Sequence, residues 1–89
     1  MYKVELTRRA HREFNKLPPT EQERIEAALD RLSANPRPAG VRKLHRNICR
    51  IRVGDWRIIY AVFDKDRLVI VGKVSRRSKR TYDKVDDLI

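Results

Sequence analysis

Cysteine is almost missing from this 89-residue chain, with Cys49 its sole representative. A lone thiol has no intrachain disulfide partner, which excludes the disulfide-stapled secreted folds and makes a reducing cytoplasm the expected compartment. No apolar run approaches the roughly 20 residues of a membrane helix, and no basic-then-apolar leader opens the sequence. Neither a membrane span nor a secretory signal is therefore expected. Glycine occurs three times and proline four, too few for a low-complexity linker, and there is no internal repeat. Also absent are a Gly-rich phosphate loop, any metal-ligand spacing and a Ser/His/Asp set, so no metal and no small-molecule cofactor are expected. The length suits one small domain over residues 1–89, with a core large enough to fold alone but only marginally stable.

Acidic residues are scarce as well. Against 22 Lys and Arg stand 12 Asp and Glu, for a formal net charge of +10. The excess is uneven: residues 1–41 carry 8 basic and 6 acidic side chains, residues 42–89 carry 14 and 6. A basic balance confined to one half of a domain is the electrostatic footprint of a protein that meets nucleic acid with one face. The basic residues do not form the polar side of an amphipathic helix, which argues against a membrane surface as the partner.

The most informative stretch is Ile48 to Phe63, ICRIRVGDWRIIYAVF. Gly54-Asp55 between Val53 and Trp56 fits a two-residue hairpin loop in which both residues tolerate positive φ. Register follows from that turn: Arg52 faces Arg57, Ile51 faces Ile58, Arg50 faces Ile59 and Cys49 faces Tyr60. Alternation then gathers Arg50, Arg52 and Arg57 on one face and Cys49, Ile51, Val53, Trp56, Ile58 and Tyr60 on the other. Cys49 reads as a buried, inert thiol. Like charges opposed across a ladder are destabilising, so three arginines on one face suit a polyanion, the alternative being solvated arginines lying over their own apolar stems on the exposed face of the hairpin. As a member of that polar face, Arg57 is expected to leave no cavity when truncated.

Elsewhere the chain alternates helical and extended signals. Tyr2 to Leu6 reads as a strand with Tyr2, Val4 and Leu6 inward. Thr7 is positioned to cap a helix from Arg8 to about Leu17, with Ala10, Phe14 and Leu17 as its apolar stripe, before Pro18-Pro19 stops it. Thr20 with Glu23 three residues on forms a capping box, predicting a second helix to about Ala34 over Ile25, Ala28, Leu29 and Leu32. No chemistry is evident in this helical hairpin. Asn35 to Gly40 is a loop. Val41 to Leu44 leads into the first hairpin strand, with Arg42, Lys43, His45 and Arg46 outward, and Leu68 to Val74 is apolar enough for a central strand covered on both faces. Arg76, Arg77, Lys79, Arg80 and then Tyr82 follow in a short tail or helical turn. The class is α+β: an N-terminal strand, a helical hairpin, then an antiparallel meander of three to four strands.

This order of elements, with NPRPAGVRKL (Asn35 to Leu44), IRVGDWRIIY (Ile51 to Tyr60) and a Val-Ser-Arg-Arg stretch followed by a tyrosine (Val74 to Tyr82), resembles the RelE/ParE toxin superfamily of toxin-antitoxin systems, and more closely its RelE-like branch. The resemblance implies a RelE-like domain acting as a metal-independent endoribonuclease on mRNA in the ribosome, opposed by an acidic, RelB-like antitoxin. It assigns catalytic roles to Arg50, Arg52, Arg57, Arg77 and Tyr82, with Arg76 in place of Arg77 if the alignment is counted back from Tyr82. From the basic second half of the chain, Arg42, Lys43, His45, Arg46, Lys73, Arg76, Lys79 and Arg80 are the expected RNA contacts. Guanidinium binds phosphate bidentately and does not lose its charge, so Arg52, Arg57 and Arg77 suit phosphate neutralisation. For the same reason Arg50 and Arg52, standing where the family often has lysines, do not supply a general base. Tyr82 and His45 are the alternatives, with base stacking a second role for Tyr82. A ParE-like inhibitor of DNA gyrase and a non-catalytic nucleic-acid-binding relative share the same fold.

Overall fold

The structure, a computed structural model, describes residues 1–76. Arg77, Lys79, Arg80 and Tyr82 lie outside the described residues. Seven elements follow in order: β1 (Lys3–Leu6), α1 (Arg8–Asn15), α2 (Pro19–Ala34), β2 (Arg42–His45), β3 (Ile48–Val53), β4 (Trp56–Phe63) and β5 (Leu68–Arg76). The sheet order is β1-β5-β4-β3-β2, an antiparallel four-stranded meander to which β1 adds in parallel along β5. Both helices lie on one face. The expected α+β arrangement is thus present, with Val41 to Leu44 resolved into a strand of its own, turned back at Arg46 (φ 47°).

Local chemistry accounts for the helices. Thr7 caps α1 by accepting the Ala10 N–H at 3.1 Å. α2 opens one residue earlier than the Thr20 capping box predicts: Pro18 is its N-cap, without a side-chain cap, and Pro19 its first residue. Proline's missing N–H costs nothing there, since a first-turn N–H has no intrahelical acceptor. Gln22 joins the two helices by donating through its side-chain amide to the carbonyls of Phe14 (3.3 Å) and Leu17 (3.1 Å). The buried stripe of α2 is Ile25, Ala28 and Leu32, with Leu29 half-buried at its margin. These pack with Ala10 and Leu17 onto Ile51, Ile58, Tyr60, Val69, Val71 and Val74 of the sheet.

The β3–β4 register is the one read from the turn, from Val53↔Trp56 to Cys49↔Tyr60. The turn itself differs in one respect. Only Gly54 takes a positive φ (60°), whereas Asp55 is not among the left-handed residues, a pattern that suits a type II′ hairpin with glycine first. A Cβ at Gly54 would also sit 3.1 Å from Nη1 of Arg24.

β5 carries an irregularity that alternation did not anticipate. Ile59 pairs with Lys73 but Tyr60 pairs with Val71, leaving Gly72 as an extra residue. The bulge resets parity, so Val69 and Val71 before it and Val74 after it all face the helices. α1 takes up the displaced backbone: Thr7 Oγ1 donates to the Gly72 carbonyl at 3.3 Å, and Glu13 Oε1 accepts the Val74 N–H at 2.9 Å. On the opposite face Leu68 and Ile70 are half-buried, so β5 is less completely covered than its composition suggested.

Two contacts generate stability predictions. Glu13→Ala leaves the part-buried Val74 N–H without its acceptor and is expected to cost about 1 to 3 kcal/mol in chemical denaturation, with Glu13→Gln restoring most of it. Equal losses in both variants would separate the effect from this hydrogen bond. The second contact is an exposed clasp in which Arg37 bonds both oxygens of Asp64 (3.1 and 2.9 Å) and the Tyr2 hydroxyl donates to Asp64 at 2.7 Å. The Arg37 hydrogen bonds first, and then that of Tyr2, hold the Asp64 carboxyl at about 2 against an ordinary 3.8. A depressed carboxyl stabilises the fold above its unfolded value and loses that contribution as pH falls from about 4 towards 2. The melting-temperature advantage of the native protein over Asp64→Asn should shrink across that window; a constant difference would show that the clasp does not titrate.

Candidate functional site

Because β3 and β4 pair in the predicted register, Arg50, Arg52 and Arg57 occupy the sheet face away from the helices. Two neighbouring strands extend that face. Arg42 pairs with Arg50 and His45 with Ile48 on β2, while Lys73 pairs with Ile59 and Ser75 with Arg57 on β5. Directly opposed residues hold their Cβ atoms about 5 Å apart, so Arg42 beside Arg50 and Arg52 beside Arg57 concentrate positive charge at the cost of local repulsion. Lys73 reaches this face only because the Gly72 bulge turns it there.

Two of the expected RNA contacts belong to the opposite side. Lys43 pairs with Cys49, and Arg76 with Trp56, whose indole N–H donates to Glu21 of α2 at 3.1 Å. Arg46 is exposed in the β2–β3 turn. The structure therefore unites Arg42, His45, Arg50, Arg52, Arg57 and Lys73, and separates Lys43 and Arg76 from them.

Arg57 corrects a second expectation. Arg52 and Arg42 are exposed, but Arg57 is 1% exposed, the one charged residue among the buried described side chains. Ladder neighbours explain part of this: Arg52 and Ser75 flank it across the sheet, and Ile59, 4% exposed, lies two residues along the strand. Alternation reports which face a residue occupies and nothing about how deeply that face is covered. A buried guanidinium keeps its charge, and a low-dielectric setting strengthens its attraction to any anion that reaches it. Truncation of Arg57 therefore does remove buried volume.

Other reactive groups are set apart. Cys49 is buried on the helix side, and burial pushes its thiol up, in keeping with an inert cysteine. The Tyr60 hydroxyl donates to the Pro36 carbonyl at 2.6 Å, and burial raises it far above the usual phenol range. His45 is exposed at the end of β2 on the arginine face. Among the described residues no group of three or more His, Cys, Asp or Glu is placed to hold a metal ion, and no helix is long and apolar enough to cross a membrane.

One residue near the site went unnoticed in the sequence. Arg31 of α2 stands with Arg50 and Arg52 around a groove of about 390 Å³ between that helix and β3. Its position three residues after Ala28, on the flank of the buried stripe, was the available signal.

Residues 4–81 match the family model described as ParE toxin of type II toxin-antitoxin system, parDE. The chain belongs to the RelE/ParE toxin superfamily. It is 30% identical over 81 residues to a protein of Methanocaldococcus jannaschii named Putative toxin RelE1, with 85% of this chain and 90% of that one covered. Among solved structures it resembles the archaeal RelE-RelB complex from Pyrococcus horikoshii (28% identity, TM-score 0.81, covering 88% of this chain and 97% of that one). It also resembles the Mycobacterium tuberculosis toxin-antitoxin complex RelBE2 (30% identity, TM-score 0.75, covering 85% and 91%). The protein is a toxin of a toxin-antitoxin system of RelE/ParE type.

The burial of Arg57 dictates how the toxin's site should be probed. Arg57→Ala is expected to lower stability by about 2 kcal/mol or more through lost packing, whereas Arg57→Met, which keeps most of the volume, should cost less than about 1.5 kcal/mol. Arg52→Ala, at an exposed position, should stay within about 0.5 kcal/mol of the native protein. All three should lose growth inhibition. Full toxicity in a folded Arg57→Met variant would remove the Arg57 charge from the mechanism.

Proposed function

We propose that this toxin is one RelE-like domain that works in the cytoplasm as a ribosome-dependent mRNA endonuclease. The observation that carries this reading is the shared sheet face of Arg42, Arg50, Arg52, Arg57 and Lys73, five cations on four adjacent strands, with the Arg57 guanidinium buried. Such a face suits a reaction whose main demand is neutralisation of charge at phosphorus. The RNA 2′-oxygen attacks the adjacent phosphorus, a base takes the 2′-OH proton, the bond from phosphorus to the 5′-oxygen breaks, and an acid protonates the departing oxygen. The products are a 2′,3′-cyclic phosphate and a 5′-hydroxyl.

In this reading Arg52 grips a phosphate oxygen pair bidentately, and Arg57 stabilises the added charge of the transition state from a site that water does not screen. Arg50 and Arg42 hold the flanking backbone. Arg77 completes the phosphate clamp, and Tyr82 supplies the base, the stacking surface or both, with His45 as the other base on the same sheet face. Arg46, Lys79 and Arg80 add long-range attraction for RNA.

The partner that restrains this face is a cognate antitoxin, acidic and RelB-like. Two of the similar structures, from P. horikoshii and M. tuberculosis, are toxin-antitoxin complexes. A segment rich in carboxylates that orders along the arginine face would neutralise it and exclude RNA at once. A ParE-like action on DNA gyrase is the second reading, favoured by the description of the matching family model.

Primer-extension mapping of breaks in translating mRNA, run beside a gyrase supercoiling assay, separates the two. Cuts that appear with the native toxin and vanish with Arg52→Ala support the nuclease; supercoiling inhibition without cuts supports the ParE-like action. Within the nuclease reading, Tyr82→Phe keeps the ring and removes the ionisable oxygen, so single-turnover cleavage on programmed ribosomes should fall about 100-fold if the phenol moves the proton. Unchanged cleavage by Tyr82→Phe together with loss of cleavage in His45→Ala would transfer that role to His45.

A further inference from the structure

The groove beside Arg31 is built differently from the arginine face it adjoins. Ala28 and Arg31 of α2 form one wall, the Pro38–Gly40 turn a second, and β3 from Arg50 to Val53 the third. β2 pairs with β3 only as far as Arg50, so on that edge no described strand lies beside β3 from Ile51 onward, while β4 pairs with its other edge. The turn is tightened by the Val41 N–H donating to the Pro38 carbonyl at 3.1 Å, and Gly40 enters it at a φ of 86° with nothing within 4 Å of where a Cβ would stand. Three arginines and no carboxylate line a cleft whose remaining side chains are apolar. Its volume of about 390 Å³ falls at the small end of the range of roughly 300 to 1,000 Å³ common for sites of compact organic ligands.

That combination selects an occupant with one anionic group and one flat, apolar body. A nucleotide has both. We propose that this groove is a subsite for one nucleotide of single-stranded RNA, in which Arg31 binds the phosphate and the Pro38–Gly40 turn meets the base. Its role in cleavage rests on the endonuclease reading, because Arg50 and Arg52 border both the groove and the arginine face and a strand of RNA crossing the edge of β3 would touch the two in succession. The open edge of β3 leaves backbone donors and acceptors within reach of a base, as splayed-out bases require. Arg31 is then a binding residue that positions the chain without touching the reacting atoms.

The test uses the full toxin and a labelled 2′-O-methyl RNA hexamer, which binds but has no 2′-hydroxyl to react. Arg31→Ala should weaken binding about tenfold and reduce the slope of log affinity against log salt by about one, while Arg31→Lys recovers part of the affinity and Arg8→Ala, on the exposed side of α1, changes neither. Backbone amide resonances of Ala39, Gly40 and Arg52 should shift during titration. On programmed ribosomes Arg31→Ala should raise KM and leave kcat unchanged, the reverse of the effect expected for Arg52→Ala. RNA binding by a folded Arg31→Ala variant equal to that of the native toxin overturns the subsite, as does a variant that loses only the binding of an acidic peptide. If the native toxin cuts no mRNA yet its affinity for the hexamer still depends on Arg31, the subsite stands and the nuclease reading falls.

Discussion

The extra residue at Gly72 governs what each face of the sheet contains. Without it, the alternation that buries Val69 and Val71 would send Lys73 towards the helices and Val74 to the opposite side. With it, the core gains Val74, and Lys73 joins the arginine face. A bulge frees backbone groups that need partners, and α1 supplies them from Thr7 and Glu13. One helix therefore fixes the parity of the strand beneath it. The charge distribution on the far side of the sheet depends on hydrogen bonds made on the near side.

Buried Arg57 shows the balance between fold and chemistry at this site. Taking a guanidinium out of water carries a penalty that packing alone does not return, and an apolar residue of similar size would serve the core at least as well. Its strand neighbours Ile58 and Ile59 illustrate what that alternative looks like. In the proposed nuclease the benefit lies in preorganisation: a cation already buried and held in place would need no reorganisation on meeting a phosphate, whereas exposed Arg52 would give up solvent and rotamer freedom to bind.

Much of this was legible because short-range rules decide it. The Gly54-Asp55 turn set the β3–β4 register, and with it the common face of Arg50, Arg52 and Arg57, since one residue of slip would have exposed Ile51 and Ile58. Thr7 announced α1 by the same local logic. What escaped was decided by contacts distant in sequence. The Gly72 bulge is sustained by Glu13, 61 residues away, and the isolated glycine in LVIVGKV was its one local signal. The depth of Arg57 depends on what covers its face, and its chain neighbour Ile59 accounts for only part of that cover. Pro18 and Pro19 outcompeted the Thr20 capping box because a proline at the first helical position is already preset for the helix, and the box had only a local advantage to offer. Arg31 was passed over because a lone arginine beside an apolar stripe reads as solvated surface until the opposite wall of its groove is known.

The parallel pairing of β1 with β5 has a bearing on timing. Lys3 lies beside Leu68, and Thr7 contacts Gly72 from 65 residues away, so the first strand to be synthesised has no partner in the sheet until the last described strand exists. During vectorial synthesis the helical hairpin and the β2–β4 strands can assemble from local contacts, but α1 cannot pin the bulge and the sheet cannot close on its N-terminal edge. Lys73 takes its position on the arginine face only with that closure. Under the ribosome-directed action proposed above, a chain whose β5 is not yet made lacks the complete arginine face with which it would act.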